Sequence, residues 1–275
     1  CSKSYSTDIA SYKEKKVDPL TQGALGASLA QSFSQSEKKS LWISFAIGFL
    51  AGLAPDLDVL IQSESNPMLY FKYHRHFTHA LAFIPIGAAV CALVFWLVMK
   101  RKISFKKIYF FSFLGFGCAG VLDACTNYGT LIFWPFSDQR VSWNLISIID
   151  PLFTLPLIVG LALSLIRKNA WFVRFGLGLS LVYLFLGLIQ RERIEGFQDQ
   201  LLASREHQQQ ASMELVKPAF ANIWLWKSLY FFEGRFYTDA IWSPPFFPPK
   251  FYEGESIPRF KKDQLSVQPT SEVLE

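Results

Sequence analysis

Residues 79–99 read HALAFIPIGAAVCALVFWLVM. After His79 the run has no charged side chain, and about 20 apolar residues are enough to cross the hydrocarbon core of a bilayer as one helix. This stretch decides the fold class. It makes the chain a membrane protein, and the sequence on either side repeats the pattern.

Downstream, residues 108–134 form another apolar run, interrupted by Asp123. Residues 145–166 form a third that carries Asp150-Pro151, and residues 171–189 a fourth. Upstream, residues 41–61 are apolar and broken by Pro55. A residue before proline avoids helical geometry, so that helix is expected to end or kink at Ala54. Asp18-Pro19 opens a shorter run of small residues to about Phe33, with Asp as cap and Pro at the first helical position. It is too short to span alone, and its small residues suit close helix packing. The expected fold is mainly α: a polytopic membrane helix bundle of about five spans plus a short N-terminal helix.

Composition agrees. Hydrophobic residues make up 51% of the chain and charged residues 18%, with 27 Phe and 8 Trp. The net charge of +5 is mild. Its basic residues cluster in short loops between apolar runs, which is a topology signal, so no nucleic-acid partner is expected. Lys38 and Lys39, the loop from Lys100 to Lys107, and the loop with Arg167, Lys168 and Arg174 alternate so as to share one side. The positive-inside rule makes that side cytoplasmic. The polar residues at the opposite helix ends then face outward, although Arg191 and Arg193 run against the rule. Three of the four cysteines lie in apolar runs without metal-type spacing and read as packing residues.

Residues 1–16 are polar and read as a disordered or non-native extension, ahead of a membrane domain over 17–190. After Ile189 the composition changes. A polar, helix-prone segment from Glu195 to Glu214 precedes aromatic-rich strands around Phe232-Glu233-Gly234-Arg235, a β-hairpin pattern. Residues 191–275 are therefore expected to be a small soluble α+β domain on the outer face.

Of the chain's four histidines, His74, His76 and His79 stand within six residues, directly before the opening run. Pro55-Asp56-Leu57-Asp58 ends another run. In a regular helix Asp56 and Asp58 would point about 200° apart, but on the irregular segment forced by Pro55 both can turn to one point. Imidazole and carboxylate together suit a divalent metal, Zn²⁺ first and Mn²⁺ or Fe²⁺ next. His74 and His79 converge if His74 lies in a loop and Thr78 caps a helix starting at His79. Asp123, ionisable within an apolar run, is a site candidate because charge at membrane depth is costly. Asp150 reads equally as a ligand or as an ordinary Asp-Pro helix start. Arg75 and Arg140 suit a clamp on an anionic group such as a phosphate. No Gly-x-Ser-x-Gly elbow, phosphate-cradling Gly loop or dinucleotide fingerprint occurs.

Several motifs in order carry a resemblance: Asp18-Pro19-Leu20-Thr21-Gln22-Gly23, Pro55-Asp56-Leu57-Asp58, His74-Arg75-x-Phe77-Thr78-His79 and Leu122-Asp123-x-x-Thr126-x-Tyr128-Gly129-Thr130. Trp134-Pro135-Phe136-Ser137, Arg140 and Ile149-Asp150-Pro151-Leu152 follow. Over about residues 17–190 the chain resembles the YdjM-like family of bacterial membrane-bound, metal-dependent hydrolases. The resemblance implies an inner-membrane helical protein, distantly related to the zinc-dependent phospholipase C and P1 nuclease group. It also implies a divalent-metal site at Asp56, Asp58, His74, His79 and Asp123. Two positions depart from the family pattern. Ala119 stands where members often have His, and His76 where they often have Gly, so His76 is either a bystander or a replacement ligand.

The expected function is an inner-membrane hydrolase acting on a phosphoester or lipid through a metal-activated water. Asp56 or Asp58 would serve as base, and Arg75 and Arg140 would hold the substrate. The alternatives are a non-catalytic metal-binding or structural membrane protein, and an ion pathway built on Asp123.

Overall fold

The structure is a computed structural model that describes residues 19–63, 68–99 and 103–260. The extension over 1–16, the Asp18 cap and Lys100–Lys102 of the basic loop lie outside the described residues.

Among the described residues, seven α-helices are followed by an antiparallel sheet. α1 (Pro19–Ser32) and α2 (Lys38–Leu53) lead into a 3-10 turn over Ala54–Leu60. α3 (Met68–Tyr73) and two single 3-10 turns, Phe77–His79 and Leu81–Phe83, precede α4 (Ile84–Val98). α5 (Phe105–Cys125), α6 (Pro151–Arg167) and α7 (Trp171–Ser204) complete the bundle. β1 (Ser212–Pro218), β2 (Leu225–Phe232), β3 (Arg235–Trp242) and β4 (Lys250–Tyr252) neighbour one another in that order, and β5 (Ser256–Pro258) pairs with β3.

Among the described residues, four helical segments are long and apolar enough to cross a membrane: Lys38–Leu60, Leu81–Val98, Phe105–Cys125 and Trp171–Ser204. Their outer faces stay apolar. Val98 on α4 is 73% exposed and Phe185 on α7 is 61% exposed, a surface that water disfavours and lipid accepts. The span expected over residues 145–166 is shorter than the sequence suggests. Residues 145–150 are not helical, because Leu145 N–H donates to Cys125 O at 2.8 Å and holds them against the end of α5. That leaves α6 with 17 residues, about 25 Å against a core of about 30 Å.

Pro55 ends α2 as expected, at Leu53. The helix expected from His79 does not begin until Ile84, so Thr78 is not its cap. The run over 108–134 is helical only to Cys125. This puts Asp123 in the last turn of α5 rather than partway along a span. Nor does the change of composition after Ile189 end a helix. α7 continues for 34 residues, because its second half has its own apolar face: Ile194 packs with Val216, Trp226 and Ile241, and Leu202 with Tyr230 and Phe232. Ser212–Pro218, expected partly as helix, is instead the edge strand. The hairpin turns at Glu233-Gly234, both with positive φ (45° and 77°), as a two-residue primed turn requires.

α1 is the buried centre of the bundle, packed on α2, α5 and α6. A Cβ on Gly26 would strike the Gly48 carbonyl, and one on Gly115 would lie 2.5 Å from the same oxygen. Small residues therefore let three backbones meet, which draws the C-terminal ends of α2 and α5 together beside the start of α1.

Candidate metal centre

The 3-10 turn after α2 carries Asp56 and Asp58. The loop from His74 to His79 crosses it, and α5 brings Asp123 from the other side. Arg75 holds this loop in place. It adopts φ 57°, and its backbone N–H donates to Asp58 Oδ2 at 2.8 Å. Gly120 on α5 lets the loop sit flush, since a Cβ there would collide with the His79 carbonyl.

His79 is 2% exposed, and its two ring nitrogens face different groups. Nδ1 lies 3.0 Å from Thr78 Oγ1, which donates to Asp58 Oδ2 at 2.9 Å. Because the Thr78 hydroxyl proton is committed to Asp58, its oxygen accepts from His79 Nδ1–H. That fixes the tautomer and turns Nε2 inward, 3.1 Å from Asp56 Oδ1 and 3.4 Å from Asp123 Oδ2. Asp56, His79 and Asp123 thus offer three ligand atoms within 4.8 Å of one another. Burial would lower the His79 pKa. The hydrogen bonds to Asp56 and Asp58 and the charges of Asp123 and Asp58 outweigh it and carry the pKa from 6.5 to about 9.

A residue that the sequence reading did not single out completes the cluster. Gln22 of α1, fully buried, points Nε2 at Asp123 Oδ1 (3.2 Å) and at Asp56 Oδ1 (3.5 Å). Gln22 stands within the Asp18–Gly23 motif, but Gln31 on the same helix is as deeply buried, so an amide in α1 did not by itself mark the site. Arg75 Nε stands 3.0 Å from Asp123 Oδ2, and its guanidinium carbon 4.8 Å from the Tyr128 ring centroid. Gln22 Oε1, Arg75 Nη1 and Asp123 Oδ2 are buried without an aligned hydrogen bond. Unsatisfied polar atoms in one place are what an ion or water would satisfy. A His with one nitrogen hydrogen-bonded toward a carboxylate and the other among carboxylates is also how proteins orient a metal ligand. The donor set fits a divalent metal.

The other predicted residues are placed differently. Asp58 lies behind His79, its oxygens committed to Arg75 N, Thr78 Oγ1 and, at 2.8 Å, His74 Nδ1. His74 therefore meets Asp58 and is not in the three-residue group. His76 accepts from Phe77 N at 2.8 Å and lies near Trp134, with ring centroids 5.5 Å apart, as a bystander would. Arg140 donates to the carbonyls of His74 (3.2 Å) and Gly129 (3.3 Å), bracing two loops. Asp150 is the cap of α6, accepting from Leu152 N at 3.2 Å and from Tyr183 Oη at 3.1 Å. Of its two sequence readings, the helix start accounts for its contacts. Thr126 closes α5 through the Asp123 carbonyl at 2.8 Å.

A family model described as YdjM inner membrane protein matches residues 17–194. No curated protein and no solved structure matches the chain.

Proposed function

The chain belongs to the YdjM inner membrane protein family, and from that premise we propose that it is a membrane-embedded metal-dependent hydrolase acting on a phosphoester or lipid. The observation that carries this reading is the convergence of Asp56, His79 and Asp123, with ligand atoms within 4.8 Å of one another. Two carboxylates and an imidazole suit Zn²⁺ first, then Mn²⁺ or Fe²⁺. Bound there, the ion would supply Lewis acidity and lower the pKa of a coordinated water. Thr78 and Asp58 hold His79 Nε2 inward. Asp56, the most open of the three with a side chain 21% exposed, would be the group that accepts a proton. Arg75 offsets the buried charge of Asp123 and offers Nη1 to an anionic oxygen.

The Arg75–Asp123 pair favours a second reading. Its charges already cancel, so the cluster can serve as a non-catalytic metal site or a structural ion network. Elemental analysis of the detergent-purified chain, with and without His79→Ala, separates these. Stoichiometric Zn, Mn or Fe that disappears in the variant supports a metal site, and metal-free protein after gentle purification sinks it. Bound metal without phosphoester turnover selects the non-catalytic reading. For orientation, the loop charges support a site and a sheet that face outward. A cysteine at Gln139 should then react with an impermeant thiol reagent in intact cells, and reaction only after permeabilisation reverses the assignment.

A further inference from the structure

A cavity lies away from the carboxylate cluster, where the sheet meets the bundle. It has a volume of about 180 Å³, and its lining includes Asn127, Ser147, Ile149, Lys217, Phe220 and Lys227. Its walls are fixed to each other. Ser147 Oγ accepts from Ala221 N at 3.0 Å and donates to Ile149 O at 2.6 Å, tying the end of β1 to the segment before α6.

Lys217 on β1 and Lys227 on β2 are direct cross-strand partners, so both ammonium groups leave the same face of the sheet. Like charges opposite each other destabilise a strand pair. The next residue in that row, Ala240 on β3, is uncharged. Neither lysine has a carboxylate partner among the described residues. An edge-guarding role would explain a lysine on β1. It does not explain a second one opposite, on an interior strand, with both lining one cavity. Burial, and then the charge of Lys227, hold the Lys217 ammonium below the usual lysine range. An anion between the two would relieve that repulsion.

We propose that this cavity is an anion site for a phosphate group, with Lys217 and Lys227 as its charges and the Asn127 amide as a neutral donor. Lys binds phosphate as a point charge. The cavity is smaller than the roughly 300–1,000 Å³ of pockets that enclose a drug-sized ligand, so it accepts a headgroup or a free phosphate rather than a whole large molecule. Its depth fits the headgroup source. Ile149 comes two residues before the start of α6 at Pro151, and Phe220 at the rim is 65% exposed. The site is therefore at the level where an apolar helix begins, beside the exposed apolar surface of Phe220. The proposal does not depend on a metal at Asp56.

The test uses the full chain, purified into nanodiscs of phosphatidylcholine with and without phosphatidylglycerol, and separately titrated with inorganic phosphate in detergent. Native mass spectrometry should show phosphatidylglycerol retained by the wild type. Lys217→Gln or Lys227→Gln should each weaken retention about tenfold, the loss of one charge-assisted hydrogen bond, and the double Lys→Arg variant should keep it. Retention of lipid identifies a headgroup site. Inorganic phosphate binding without lipid selectivity identifies a soluble phosphate ligand and also supports the proposal. If the double Lys→Gln variant, with unchanged circular dichroism and metal content, binds both probes as the wild type does, the proposal is overturned.

Discussion

His79 Nε2 lies 3.1 Å from Asp56 Oδ1, so the proton between them sits where a metal ion would bond. Its pKa of about 9 means that at neutral pH a metal entering the site must displace a proton. Apparent affinity for Zn²⁺ should therefore rise about tenfold per pH unit up to about pH 9 and level off above it, with close to one proton released per ion at pH 7. Calorimetry in buffers of different ionisation enthalpy counts that proton. Affinity independent of pH over this range would contradict the assignment.

The sign reverses for the metal-free fold. A pKa raised from 6.5 to about 9 contributes stability that is fully present below pH 6.5 and lost as pH rises through about 9. Thermal unfolding of chelator-treated protein should start lower at pH 10 than at pH 6. Metal-loaded protein should show a smaller drop, because the ion has already replaced the proton.

Arg75 is the counter-charge of Asp123, at 3.0 Å. Arg75→Gln leaves the buried Asp123 carboxylate with His79 as its one remaining cationic neighbour among the described residues and should cost the metal-free protein about 3 kcal/mol. The metal-induced rise in unfolding temperature should then be larger than in wild type, since the ion takes over the role of the guanidinium. Equal increments in the two proteins would place Asp123 outside the metal site.

His74→Ala removes a partner of Asp58 and leaves Asp56, His79 and Asp123 in place. It should lower metal affinity by about 10–100-fold, as loss of an outer-sphere partner does, whereas His79→Ala abolishes binding. If His74→Ala alone emptied the site at saturating metal, His74 would have to be a direct ligand.

Gly120→Ala drives a methyl group into the His79 carbonyl. It should destabilise the chain by about 1–3 kcal/mol and reduce metal content. Gly178→Ala on α7 meets nothing within 4 Å and serves as the control, neutral or slightly stabilising by helix propensity. Unfolding in detergent compares the two.

Arg205, at the end of α7, holds Asp239 of β3 through two bonds of 2.7 and 3.2 Å. Asp239→Asn should weaken the docking of the sheet by about 1.5–3 kcal/mol. Limited proteolysis after Ser204 reads this as faster cleavage, with metal content at the Asp56 site unchanged.

The apolar runs and the polar groups at their ends were legible because hydropathy is a local sum over consecutive residues. The hairpin was legible because Glu233-Gly234 supplies its own turn chemistry. Element ends were harder to place. α4 starts five residues later than its apolar run, because His79 and the 3-10 turns beside it are held by Asp58, Thr78 and α5. α7 passes through its composition change because the polar half has a sheet to cover, and no local pattern announces that partner.

By itself, then, the sequence determined a helical membrane protein with His and Asp side chains at helix ends and a β-hairpin near its C-terminus. Only the tertiary structure decided which of those side chains meet. It put Asp56 and Asp123 on one nitrogen of His79 and led the other nitrogen to Asp58. It turned His74 to Asp58, made Asp150 a helix cap and added Gln22 from a helix more than thirty residues before Asp56. The physical reason is distance: these contacts join α1, the turn after α2, the His74–His79 loop and α5. They form only because Gly26, Gly48 and Gly115 let the helices close to backbone contact.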